Sequence, residues 1–249
     1  MAHYKVILAY DGTEFLGFQR QSKGRTVQAS VESALRMIGW NNSSIIGAGR
    51  TDTGVHASGQ VIGFKYEWDH SAEDLRDALN ANLPADIAAL SVEQVGEEFH
   101  PRFSAIARRY HYRLFCDKVR QPLRERYAWR VWPPISLDLV DQAAAKLVGT
   151  HDFAAFGSPP QSAGSTIRQI FSATWRIDQN HLLFEILGNA FLYHMVRRLV
   201  NCQVEIGLEK RSPSDMEGLL SGEQAELVQG LAPAKGLVLK EVTYPKQVG

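Results

Sequence analysis

The stretch "SAIARRYHYRLF", residues 104–115, alternates in character with a period of two and so reads as a β-strand. Its position decides the fold, because it restarts an element order that the chain has already completed once. Upstream, "YKVILAYDG" (4–12) is a strand closed by a turn. "TVQASVESALRMIG" (26–39) is a helix, capped by Thr26, apolar along Val27, Val31, Ala34, Leu35 and Ile38, and ended by Gly39. A short strand at 44–48, a glycine-rich loop and a strand at 60–68 follow. "SAEDLRDALNANLP" is a second helix with a capping-box start at Ser71 and Asp74, and a strand at 86–95 closes the order β-α-β-β-α-β.

Downstream of 104–115 the same order returns. Residues 136–149 form a helix between Ser136 and Gly149, and "TIRQIFSATWRID" and "HLLFEILG" form a hairpin turning at Gln179-Asn180. "NAFLYHMVRRLVNCQVEIG" (189–207) is a long helix, a short helix starts at Ser212-Pro213, and 236–245 is a last strand. The two halves share element order but no visible residue similarity. The expectation is an α+β chain of two ferredoxin-like halves, residues 1–103 and 104–249, packed side by side around a shared cleft.

Composition sets the outer bounds. A 249-residue chain with 45% hydrophobic and 22% charged residues can bury a sizeable core, and no apolar run is long enough to span a membrane. The opening "MAHYKVILAYDG" enters a strand pattern directly and does not read as a signal peptide. Cys116 and Cys202 stand alone in apolar surroundings, as packed thiols of a reducing, cytoplasmic compartment. Net charge is zero, yet residues 66–98 hold nine acidic side chains against one basic, and residues 100–132 hold nine basic against two acidic. A neutral protein with a segregated basic segment can attract a polyanion locally, and its 18 arginines to 9 lysines favour phosphate and base contacts.

Several chemistries fail on spacing. The eight histidines form no HxxxH or HxH pair, so no metal site is supported. "AYDGT" (9–13) has Ala9 where an aspartyl phosphohydrolase would need its nucleophile, "GAGRTDTG" lacks the Walker Lys-Ser/Thr ending, and no GxSxG occurs. What remains is "GAGRTDTGVHASGQ" (47–60), where Asp52 is the lone carboxylate among four glycines. The glycines read as clearance for a close approach by a ligand. An Asx turn with Arg50 as surface partner is the plainer reading of those residues. On the 104–115 strand, Arg109, His111 and Arg113 share one face and Arg108, Tyr110 and Tyr112 the other, the interleaving that single-stranded RNA readers use. In "NAFLYHMVRR", a guanidinium leaving the buried edge of the helix needs a carboxylate partner.

"GRTDTGVHA", "ARRYHYRL" and "NAFLYHMVRRLV", in this order and at these separations, resemble the three active-site motifs of the TruA family of tRNA pseudouridine synthases. "YDGTEFLGFQRQ", "LNANLPADIA", "FHPRFSA" and "GLVLKEVTYP" agree, so the resemblance covers nearly the whole chain. Thr53 departs from the family's usual alanine, and the chain stops soon after "TYP" where some members carry a tail. The resemblance implies isomerisation of uridine to pseudouridine in the tRNA anticodon arm, at positions 38 to 40, without a cofactor, by a homodimer whose subunits share one tRNA. It implies Asp52 as nucleophile, attacking C6 or C1′ of the uridine or taking its 2′ proton. Arg197 matches the arginine paired with that carboxylate, and Tyr110 the tyrosine beneath the uracil that also takes the C5 proton. Arg50 matches the residue that holds the target base out of its stack, and Leu237 the apolar floor of the pocket. Gln19, Arg20, His56, Arg102, Arg108, Arg109, Arg168 and His194 match positions facing the tRNA. Two alternatives stay open: two RRM-like halves that bind RNA without catalysis, and a synthase with another RNA target.

Overall fold

The computed structural model describes residues 1–159, 164–222 and 227–245. The chain divides into two compact units, Met1–Ile106 with the segment from Val238 onward, and Ala107–Leu237.

The first unit begins with β1 (Ala2–Tyr10), whose Tyr4, Val6, Leu8 and Tyr10 point into the core while the alternate residues stay half-buried. A 3-10 turn at Gly12–Glu14 leads to α1 (Val27–Met37), where the Thr26 hydroxyl accepts from Ala29 N–H. β2 (Ile46–Gly47) and β3 (His56–Tyr66) flank the glycine-rich loop, and α2 (Ala72–Asn82) starts with the full Ser71–Asp74 capping box. β4 (Ile87–Val95) completes the expected β-α-β-β-α-β order. β4, β1 and β3 are antiparallel neighbours, with β2 on β3, the strand arrangement of a ferredoxin-like unit.

The second unit opens with β5 (Ala107–Cys116), a one-turn helix α3 (Pro122–Glu125) and β6 (Trp129–Val131). α4 (Leu137–Ala145), β7 (Gly149–Asp152), β8 (Ile167–Asp178), β9 (His181–Gly188), α5 (Met195–Gly207) and α6 (Asp215–Leu220) follow. Its strands run in the order β5-β9-β8-β7, all antiparallel, with β6 parallel on the end of β5. The hairpin turns at Gln179-Asn180, with Gln179 in a left-handed conformation (φ 53°). β10 (Leu237–Thr243) then lies parallel to β3 of the first unit, Val238 opposite His56 and Leu239 opposite Ala57.

The helix expected from residue 189 begins at Met195 instead. Phe191, Leu192, Met195 and Val196 mimic a helical stripe, but Asn189 is clipped to β8. Its N–H donates to Gln169 O (2.9 Å) and its Oδ1 accepts from Gln169 N–H (3.1 Å). Tyr193 bridges to Ser158, and His194 takes φ 64°, so residues 189–194 form a loop that ends in a left-handed N-cap.

Candidate active site

In the first unit, neutral hydrogen bonds hold the backbone of the 48–55 loop at several points. Ala48 N–H donates to Val61 O (2.8 Å), the fully buried Gln60 donates from Nε2 to Gly49 O (3.1 Å), and Phe18 N–H donates to Thr51 O (3.0 Å). Tyr10 Oη and Thr51 Oγ1 share a hydrogen bond of 2.8 Å. Burial pushes the Tyr10 phenol up to about 12, against the lowering by its hydrogen bonds to Thr51 and Gln60, so the hydroxyl keeps its proton. Gly54 N–H donates to Phe15 O (3.2 Å), and Val55 N–H closes a turn onto Asp52 O (3.1 Å). Asp52, the one carboxylate in the loop, sits half-buried at its bend.

The segment "DGTEFLGF" supplies the other wall, and its glycines explain how it comes so close. A Cβ on Gly12 would lie 2.0 Å from Val55 O, and one on Gly17 2.7 Å from Thr51 O. The loop's own glycines prove more mixed than ligand clearance alone suggests. A Cβ on Gly47 would strike the Phe18 ring at 2.6 Å and one on Gly59 the Lys240 carbonyl at 2.3 Å, whereas Gly49 faces open space. Packing against protein accounts for the first two, and Gly54 meets the need for a positive φ of 76°.

Arg50 is exposed and makes no hydrogen bond or ion pair to the described residues. His56 is buried, its Nδ1 accepting from Gly12 N–H (3.0 Å) and lying 3.1 Å from Asp11 Oδ1. One nitrogen cannot serve both partners: the neutral ring accepts from Gly12, and a proton there would trade that bond for an ion pair with Asp11. Gln19 is exposed, while Arg20 donates from Nη1 to Glu32 Oε2 (2.6 Å), a carboxylate with no exposure at all. Arg102 is exposed with its guanidinium over the Phe103 ring, 5.8 Å from the centroid.

In the second unit β5 presents two unlike faces. On one, Glu185 of β9 accepts from Arg109 Nη1 (2.6 Å) and pairs with His111 Nε2 (2.7 Å). Burial works against its charge, but His111 and Arg109 outweigh that and hold its carboxyl below the ordinary range. On the other face, Arg108 donates to Asn189 O (2.6 Å) and Tyr110 is half-buried, edge-on to Phe191 with ring centroids 5.1 Å apart. Tyr112 is fully buried and donates to Pro233 O (2.8 Å), so it offers no ring to a base. Burial raises its pKa well above normal, with the nearby charge of Arg197 pulling the other way.

Arg197 leaves the first turn of α5 and donates from Nε to Ala232 O (2.8 Å), while Ala232 N–H donates back to Arg197 O (3.2 Å). Arg108 and Tyr110 of β5 thus meet Asn189 and Phe191 of the β9–α5 loop, which leads on to His194 and to Arg197 at the start of α5. Arg168 lies on β8, half-buried, its Nη1 on Ser165 O and Ile167 O, and burial lowers its pKa. Leu237 is buried at the head of β10. Glu185, Phe191, Tyr10 and Gln60 were not singled out from sequence. Only Glu185, the one charge in "HLLFEILG", carried a visible signal.

Comparison with known proteins adds the family. A model described as "tRNA pseudouridine synthase" matches residues 6–104 and 143–245. A tRNA pseudouridine synthase A of Lacticaseibacillus casei is 42% identical, covering 98% of this chain and all of the relative. Proteins of the same name from Geobacter and Geobacillus kaustophilus are 39% and 42% identical, over 99% and 96% of this chain and 100% and 93% of theirs. On these matches, together with the three motifs and the units that carry them, the chain belongs to the tRNA pseudouridine synthase family.

Proposed function

We propose that this protein isomerises uridine to pseudouridine in the anticodon arm of tRNA, at positions 38 to 40, with Asp52 as nucleophile. It acts as a cytoplasmic homodimer and without a cofactor. Family membership supports the reaction, and the resemblance of the three motifs supports the target and the roles. The observation that carries the assignment of Asp52 is its setting: one carboxylate at the bend of a loop whose backbone is fixed by uncharged partners.

The reaction breaks the N1–C1′ bond, turns the uracil and joins C1′ to C5, from which one proton leaves while the freed N1 takes one up. No electrons are gained or lost overall. Asp52 attacks C6, attacks C1′ or removes the 2′ proton, and each route requires the ionised carboxylate. Arg197 supplies the positive charge that favours this form in a closed site. Tyr110 lies under the uracil and receives the C5 proton, and Leu237 floors the pocket. Arg50, with no partner among the described residues, holds the target base out, at a cost of a few kcal/mol for a loop nucleotide. Gln19, Arg20, His56, Arg102, Arg108, Arg109, Arg168 and His194 serve binding, by direct contact or by shaping the surface that the tRNA meets.

Release of tritium from C5-tritiated tRNA tests this directly. Wild type releases tritium to water, and Asp52→Asn slows release on the order of 10⁴-fold while still binding tRNA. Wild type that releases none makes the protein an RNA binder only. An Asp52→Asn variant as fast as wild type moves the nucleophile elsewhere. Mapping the modified positions by carbodiimide primer extension tests the anticodon-arm target.

A further inference from the structure

We propose that Tyr193, backed by His194, is a stacking platform for a tRNA base that flanks the target uridine; this rests on the synthase reading above. The Tyr193 side chain is 59% exposed, yet its backbone and one ring face are held. Its ring lies nearly parallel to the His194 imidazole, with centroids 3.7 Å apart and planes at 26°. Its N–H donates to Ser158 O (3.0 Å), and its carbonyl stands 2.6 Å from where a Gly157 Cβ would be. The next residue, His194, is held at φ 64°, a left-handed conformation that a residue with a side chain rarely adopts.

A tyrosine with only a packing role would bury its ring. Here one face is covered by an imidazole while most of the side chain stays exposed, on a backbone held through Ser158. That is the form of a site for a flat, weakly polar partner with a π-face, and a nucleobase is that partner in a tRNA-modifying enzyme. Location points the same way. Phe191, two residues earlier, packs edge-on against Tyr110, the residue assigned to the uracil. Two residues of chain span at most about 7 Å, so the Tyr193 backbone lies that close to the Phe191 backbone. The platform therefore stands beside the target base rather than under it.

The test uses anticodon-arm RNA carrying 2-aminopurine at one or the other nucleotide flanking the target, bound to the Asp52→Asn protein so that turnover does not interfere. Stacking on Tyr193 quenches the fluorescence of at least one of the two labelled RNAs. Adding Tyr193→Ala removes that quench and raises Kd roughly 5- to 150-fold, and Tyr193→Phe restores both because the ring is retained. If Tyr193→Ala alters the fold, Tyr193→Leu, which keeps bulk without a π-face, gives the same loss. Unchanged Kd and quench in the Ala or Leu variant, or no quench at either position in the parent, overturns the proposal. Failure of the underlying reading shows separately, as wild-type protein that binds the RNA and makes no pseudouridine.

Discussion

At the residue scale, Tyr10 braces the loop that carries Asp52, the proposed nucleophile. Its hydroxyl is buried, keeps its proton, and holds Thr51 at 2.8 Å, one residue before Asp52. Tyr10→Phe keeps the ring and removes that bond and the longer one donated by Gln60 Nε2 (3.5 Å), leaving the Thr51 hydroxyl short of a buried partner. The variant loses about 1–3 kcal/mol in urea unfolding and about tenfold in tritium release at saturating tRNA. Unchanged stability and turnover would show that the loop does not depend on Tyr10. The folded pKa lies above the ordinary 10, so this contribution is complete below pH 10 and is lost only as pH climbs through about 12.

At the scale of elements, α1 behaves as more than an amphipathic helix. Its buried side carries Gln28 and Glu32, and these two grip the chain on both flanks of the Asp52 loop. Gln28 Oε1 accepts from Arg20 N–H (2.9 Å), while Glu32 accepts from Arg20 Nη1 (2.6 Å), Ser44 Oγ (3.2 Å) and Ile45 N–H (3.2 Å). Arg20→Ala leaves the buried carboxylate with only the more distant Arg36 cation, 3.8 Å away, and costs about 3 kcal/mol in denaturant unfolding. Adding Glu32→Gln to it recovers part of that loss, because the under-compensated charge is gone. Strictly additive losses would show that the pair is not coupled. Most elements were legible in the sequence for the reasons their residues suggest: Thr26, Ser71 and Ser136 do cap α1, α2 and α4. β6, β7 and α3 have three or four residues each, too few to establish a period. The false helical stripe at 189–194 failed because tertiary hydrogen bonds to β8 outcompete local periodicity there. The site was legible through its motifs, whereas the burial of His56 and Tyr112 and the pairing of Arg20 with Glu32 depend on contacts distant in sequence.

For the whole molecule the first question is how a chain with 27 basic and 27 acidic side chains attracts a polyanion. Part of its basic segment is already offset, Arg109 by Glu185, while the single charge of Glu125 is shared between Arg120 and Arg130. Long-range attraction must then come from several local patches acting together, which a second copy of the chain doubles. The proposed homodimer predicts sedimentation at twice 27.8 kDa in the absence of RNA. A species that stays at one chain mass across the micromolar range, with and without tRNA, would remove the dimer from the reading.

β10 has a consequence for when the enzyme can exist at all. It pairs with the first residues of β3, where the Asp52 loop ends, although Val238 and His56 are 182 positions apart. At 5–20 residues per second, a ribosome takes roughly 10 to 35 s to travel from one partner to the other. Throughout that interval the unit bearing Asp52 has an unpaired strand edge beside the Asp52 loop, and Gly59 lacks the carbonyl that packs on it. A chain interrupted anywhere before Val238 carries Asp52, the proposed nucleophile, and still lacks the strand that pairs beside its loop. Pairing along this edge of β3 thus waits until Val238 and the residues after it have been made, and a product cut short before Val238 lacks that partner strand.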